Sequence, residues 1–291
     1  MGRLLTERSA CMRANLHEVV SQSLIDAFVE RLAREPAVLV SVDSNQGSVP
    51  REAGAWMGVF ADGAGVGTVG GGHLEFEASQ IAQRALAGQA IDALRRFALG
   101  PSLGQCCGGV VQLRFELLQP VDAVTVHERL NAQADARRLP VALFGGGHVG
   151  HAIVQALLPL PVRVHWIDSR DEVFTTGLPR WIATEHSAPV QAAVADIAAA
   201  SRVLIMSFSH AEDLDIVAAC LQRQRERADL PFIGLIGSRS KWASFRHRLE
   251  ARGFSAAELA HVTSPIGVAG VVGKEPEVIA AAVAAQLMQQ R

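Results

Sequence analysis

Apolar residues recur along the chain with two different periods, and the change of period divides it. From Leu16 to Leu32 the apolar positions Leu16, Val19, Val20, Leu24, Ile25, Phe28, Val29 and Leu32 fall at helical spacing, and Pro36 bars continuation, so the pattern predicts a helix. Ala37–Val42 is short, apolar and rich in valine, which predicts a strand running into the polar turn Asp43–Arg51. Trp56–Phe60, Ile91–Leu99 and Val110–Leu118 read as further strands, and a helix is expected from about His73 to Leu86. Pro120 opens a polar helical stretch that ends near Arg138. Beyond Pro140 the alternation becomes regular. Strands at Val141–Phe144, Val162–Ile167, Val203–Ser207 and Phe232–Ile236 are separated by helical stretches at about 148–158, 188–199, 211–226 and 238–252, with a last helix over Pro276–Gln289. Short apolar strands alternating with helices imply a mostly parallel sheet covered on both faces.

The expected architecture is therefore α/β, with a small N-terminal α/β domain over residues 1–120, a helical connector over 121–139 and a Rossmann-like parallel-sheet domain over 140–291. A chain of 291 residues suits two domains. With 49% hydrophobic and 19% charged residues it has ample material for packed cores. The formal net charge of −2 gives no electrostatic footprint for nucleic acid or an anionic membrane, and no apolar run reaches the length of a membrane span. Four cysteines, two of them the neighbours Cys106 and Cys107, do not form a disulfide framework in a chain this long. The expectation is a cytoplasmic protein with free thiols. A homodimer is the commonest closed assembly and is expected on that ground alone.

Three glycine-rich segments carry the candidate chemistry. Gly145-Gly146-Gly147-His148-Val149-Gly150 gives G-x-G-x-x-G between a strand and a helix, and Asp168 ends the next strand. Glycines there permit a tight turn and the approach of a phosphate to the helix N-terminus, while Asp168 is placed to accept hydroxyl groups of a ribose or similar polyol. This supports NAD(P) binding only slightly over a fold that binds no dinucleotide. Gly104-Gln105-Cys106-Cys107-Gly108-Gly109 sets two thiols in a loop that lets backbone approach a ligand, and a thiolate is a soft ligand for a soft metal. The competing reading is buried, space-filling cysteine. Val69-Gly70-Gly71-Gly72-His73-Leu74-Glu75 is a second candidate anion cradle, although Glu75 equally suits a dipole-complementing acid in a first turn. In the second half, Ser207-Phe208-Ser209-His210 and Ile236-Gly237-Ser238-Arg239-Ser240-Lys241 follow strands at the sheet edge where α/β proteins bind ligands, and Arg239 is the better phosphate clamp of the two cations. No catalytic set emerges: there is no G-x-S-x-G elbow, no Walker lysine, no zinc spacing and no tyrosine.

Ser48-Val49-Pro50-Arg51, the glycine run into His73-Leu74-Glu75, the loop Leu103–Gly109, Phe144–Gly150, Ile236–Lys241 and Ser264-Pro265-Ile266-Gly267 occur in the order seen in XdhC/CoxI-type proteins. The sequence resembles that family from about residue 36 to its end, and Gly273-Lys274-Glu275-Pro276-Glu277 is similar to the xanthine dehydrogenase accessory branch. Gly267-Val268-Ala269-Gly270 lacks the aspartate usual in the wider family. The resemblance implies a non-enzymatic chaperone that binds the molybdenum cofactor (Mo-molybdopterin), supports its sulfuration by a cysteine desulfurase and inserts it into xanthine dehydrogenase. Taken with the segments above, the candidate cofactor contacts are Gly72, His73, Glu75, Cys106, Cys107, Gly108, Gly145, Gly147, His148, Gly150, Asp168 and Arg239, with Cys106 or Cys107 expected to meet the molybdenum. An NAD(P)-dependent oxidoreductase and a purely structural assembly factor are the alternatives.

Overall fold

The structure, a computed structural model, describes residues 24–100 and 108–290. It divides into two compact units, Met1–Ala134 and Asp135–Arg291.

In the first unit the elements are α1 (Leu24–Leu32), β1 (Ala37–Gln46), β2 (Trp56–Phe60), β3 (Gly65–Gly67), α2 (Gly72–Leu86), β4 (Leu94–Ala98), β5 (Val110–Leu118) and α3 (Ala123–Ala136). The strands form one antiparallel sheet in the order β3-β2-β1-β5-β4. Alternation along β1 sends Val38, Val40 and Val42 to one face, where they pack against Leu74, Ala78, Ile81, Ala82 and Ala85 of α2. Ala37 and Leu39 face the opposite way, onto Ile25, Phe28 and Leu32 of α1 and Val126 and Leu130 of α3. Phe28 is fully buried above Gly58, where a Cβ would come within 2.1 Å of its ring. Burying such a ring is worth about 1.5–3 kcal/mol, so a side chain at position 58 would dislodge one of the unit's larger anchors.

β1 runs four residues beyond the expected strand. Asp43–Gln46 was expected to turn, yet Ser44, Asn45 and Gln46 continue in register with Gln112, Val111 and Val110 after an irregularity at Val42/Ser44. The long partner strand keeps this polar stretch extended. The expected connector is a short 3₁₀ turn and α3, whose buried residues belong to the first unit's core. Of the lead-in helix, residues 16–23 lie outside the described residues.

The second unit contains β6 (Leu139–Phe144), α4 (His148–Leu157), β7 (Val162–Asp168), β8 (Ile182–His186), β9 (Arg202–Ile205), α5 (His210–Arg227), β10 (Phe232–Leu235), α6 (Arg239–Ala251), α7 (Ala256–Leu259), β11 (Val262–Thr263) and α8 (Pro276–Gln289). All strand pairings are parallel, and the order is β11-β10-β9-β6-β7-β8. Counted from the unit's first strand this is the doubly wound dinucleotide-binding arrangement, with the reversal between β6 and β9. Val141 and Leu143 enter the core shared with α4 and α8, while Ala142 and Phe144 enter the core shared with α5 and α6. A strand buried on both faces accounts for the unbroken apolar run. Pro140 is accommodated because β6 pairs with β9 only from Val141 onward. The stretch expected to be helical at 188–199 holds only a 3₁₀ segment, Val190–Ala195, after Pro189. Among the described residues no helix is long and apolar enough to cross a membrane.

Candidate functional site

At the carboxyl edge of the parallel sheet the chain must leave β6, turn and enter α4, and each glycine of that turn has a separate reason. Gly145 has φ +131°, and a Cβ there would lie 2.1 Å from the carbonyl oxygen of Met206 at the end of β9. At Gly150 a Cβ would lie 2.1 Å from the carbonyl oxygen of Gly145, so this glycine sets how closely helix and turn approach. At Gly147 a Cβ would meet nothing within 4 Å. Gly147 caps α4 without a side-chain hydrogen bond, and the first turn carries no acid. This uncapped helix start is exposed at Gly147 and His148 and lies at the point of strand reversal. His148, the first helical residue, is exposed.

The turn is braced from below. Trp166 Nε1 donates to the Gly145 carbonyl at 2.9 Å, and Gly146 N–H donates to Asp168 Oδ2 at 2.5 Å. Asp168 is 1% exposed. Its Oδ1 accepts from the backbone N–H and Nε of Arg170, both at 2.9 Å, and its Oδ2 accepts from Arg170 Nη2 at 3.0 Å. Burial by itself would raise this carboxyl; the Arg170 guanidinium and the Gly146 and Arg170 N–H groups outweigh it and hold Asp168 below the usual carboxylate range. The acid expected to meet ligand hydroxyls has both oxygens engaged by the turn and by Arg170. Arg170 also lays its guanidinium over the Phe208 ring, 4.5 Å from the centroid. Sequence reasoning did not single out Arg170; the spacing Asp168-Ser169-Arg170 was the available signal.

The helices that follow β9 and β10, α5 and α6, are joined by a buried ion pair. Asp213 Oδ1 accepts from Ser207 N–H at 2.8 Å and Ser207 Oγ–H at 2.7 Å, and Oδ2 accepts from Lys241 Nζ at 2.6 Å. Lys241 also donates to the Ile236 carbonyl at 2.9 Å. Its stem passes over Gly237, where a Cβ would meet Lys241 Cδ at 2.5 Å. Lys241 is thereby committed to structure. Arg239, at the start of α6, is exposed. Ser209 and Ser238 cap α5 and α6 by accepting from Glu212 and Lys241 N–H.

In the first unit the glycine run of the second cradle bends through Gly70, Gly71 and Gly72 at φ +139°, +78° and +63°. Its donors converge on the chain's own acid. Glu75 Oε1 accepts from the N–H groups of Gly71 (2.8 Å), Val69 (3.0 Å) and Gly70 (3.2 Å) and from the Thr68 hydroxyl. Burial pushes Glu75 up, but the Thr68 hydroxyl and these three N–H groups pull it further down. A carboxylate of the protein stands where a ligand phosphate was expected. His73, beside Gly72, pairs instead with Glu77 at 3.1 Å. Ser48–Arg51 is a meeting point: a Cβ at Gly70 would lie 2.5 Å from Pro50 Cγ, and Gly109 N–H donates to the Ser48 carbonyl at 3.0 Å. The root of the cysteine loop, the polar turn and the Glu75 nest therefore touch. Gly108 is exposed with open space above it. Cys106 and Cys107 lie outside the described residues. No group of three or more histidine, cysteine or acidic side chains able to hold a metal occurs among the described residues.

Comparison with known proteins adds the following. The pattern of the XdhC Rossmann domain matches residues 141–287, and that of the XdhC and CoxI family matches residues 31–98. The uncharacterized protein YqeB of Escherichia coli strain K12 is 27% identical over 262 residues, covering 87% of this chain and 43% of YqeB, so the chain spans less than half of that relative's length. A crystal structure of a xanthine dehydrogenase from Bacillus halodurans shares the fold at a TM-score of 0.68 and 20% identity, covering 92% of this chain and 96% of the other.

Proposed function

The chain belongs to the XdhC and CoxI family, and on that premise we propose that it is a carrier for the molybdenum cofactor rather than an enzyme. Its task in this reading is to hold the cofactor, protect it, support its sulfuration by a cysteine desulfurase and deliver it to a dehydrogenase of the xanthine dehydrogenase type. The observation that carries the reading is the turn at Gly147: an N-terminus of α4 with no side-chain cap, open space where a Gly147 side chain would stand, and a position at the reversal of strand order. A terminal phosphate fits such a terminus, since the helix dipole and unpaired N–H groups both favour an anion. Cys106 and Cys107 would supply soft thiolate sulfur to the metal centre of the cargo. Gly108 and Gly109 at the loop's root fit that assignment, one open to approach and the other fixed on Ser48. The cargo would bring to the client the metal centre on which its chemistry depends. A carrier must also release what it holds, which agrees with few permanent ligands.

Anaerobic co-purification tests this. The parent protein mixed with free molybdenum cofactor is expected to retain it through gel filtration, and Cys106→Ala or Cys107→Ala to retain less. Full retention by both variants removes the thiols from the site; no retention by the parent removes the carrier reading.

A second reading, an NAD(P)-dependent oxidoreductase, draws support from the strand order and the spacing of Gly145, Gly147 and Gly150. The full engagement of Asp168 weighs against it, because the carboxylate that would receive ribose hydroxyls already has its partners. Fluorescence titration with NADH separates the two: saturable micromolar binding supports the dehydrogenase, and its absence removes it.

A further inference from the structure

Resting on the carrier reading, we propose that Phe208, backed by Arg170, is the platform on which the planar nitrogen heterocycle of the cargo stacks. Phe208 is 67% exposed. It sits in the loop after β9, at the side of the strand reversal opposite the Gly145–Gly147 turn. Its neighbours along the chain, Ser207, Ser209 and His210, are polar, and Arg170 lies against its ring. The other large apolar side chains exposed among the described residues of this unit are Val271 and Val272, which are aliphatic. A protein-docking surface gathers apolar groups around an aromatic anchor. A lone ring among polar groups beside phosphate-seeking donors suits a small flat ligand better.

The platform is rigid before anything binds. Ser207 is fixed through its N–H and hydroxyl to Asp213, and Ser209 caps α5, so the residues on both sides of Phe208 are held. Arg170 is held by its paired hydrogen bonds to Asp168, which leave the guanidinium face to cover one side of the phenyl ring. With its charge matched by Asp168, Arg170 supports the ring rather than competing with Gly147 for phosphate. A pterin and a purine share the relevant chemistry, a flat ring system with a phosphate at one end, and stacking on an aromatic side chain tolerates either.

The test uses the full chain and Phe208→Ala and Phe208→Tyr variants, titrated with 6-hydroxymethylpterin and with adenosine 5′-monophosphate, alongside retention of the molybdenum cofactor. Phe208→Ala is expected to weaken pterin binding and cofactor retention about tenfold with an unchanged melting temperature, and Phe208→Tyr to restore both. If only adenosine monophosphate binding responds to the alanine variant, the assignment to the cargo is overturned and the ring serves a purine nucleotide instead. Unchanged affinities in Phe208→Ala overturn the platform; should the parent still retain cofactor, the carrier reading survives. Loss of dehydrogenase association in Phe208→Ala with pterin and cofactor binding intact also overturns it, assigning the ring to protein docking. If the parent holds none of the three ligands, carrier and platform fall together.

Discussion

Lys241 and Asp213, 28 residues apart in sequence, meet at 2.6 Å and join the first turn of α6 to the first turn of α5. The side chains are 11% and 3% exposed, so the pair is shielded from solvent, and the Ile236 carbonyl and Ser207 complete its hydrogen bonding. Such a pair adds little net stability over apolar replacements, but breaking it strands a buried charge.

Removing one partner is therefore expected to cost more than removing both. Asp213→Leu or Lys241→Met alone should lower the unfolding free energy by about 3–5 kcal/mol. The Asp213→Leu/Lys241→Met double variant should recover part of that loss. Urea denaturation of the four proteins measures the coupling, and additive losses would refute it.

Gly147 and Gly150 are expected to respond in opposite ways to the same methyl group. Gly150→Ala places carbon 2.1 Å from a carbonyl oxygen and should destabilise by about 2–3 kcal/mol. Gly147→Ala enters open space at φ −80° and should leave the melting temperature nearly unchanged while weakening cofactor retention. Thermal melts together with the retention assay separate fold from site.

These contrasts mark what was legible in the sequence. Val110–Leu118 and Pro276–Gln289 were readable to the residue because a long partnered strand and an apolar helix opened by proline state their period openly. β8 was not, since only Ile182 of its five residues is buried and an edge strand shows no alternation. The spacing of Gly145, Gly147 and Gly150 announced a turn between strand and helix, with the structure supplying each glycine's reason. The partners of Asp168, Glu75 and Lys241 were hidden: a nest filled by the chain's own carboxylate looks, in sequence, like one awaiting a phosphate.

Glu75 leads to a pH prediction. Its carboxyl is depressed in the folded protein, so the stability it contributes is present above its unfolded pKa, near 4.5, and is lost as pH falls through the lower folded value. Glu75→Gln should cost about 1–2 kcal/mol at neutral pH, and less at pH 3, where the parent has begun to lose the same contribution. Denaturant unfolding at both pH values provides the check.

Cys220 is fully buried within the core shared with α5, and burial pushes its thiol up to about 12. It should resist iodoacetamide at pH 8 in the native protein and react once the chain is unfolded, as read by peptide mass spectrometry. Labelling in the native state would contradict the packing of α5.

Trp166 offers a practical consequence. Its indole is wholly enclosed, edge-on to His151 and Phe174, and its N–H reaches the carbonyl of Gly145 in the turn. In a variant whose other three tryptophans, Trp56, Trp181 and Trp242, are replaced by phenylalanine, any adjustment of that turn should register in the emission of Trp166, with no attached dye.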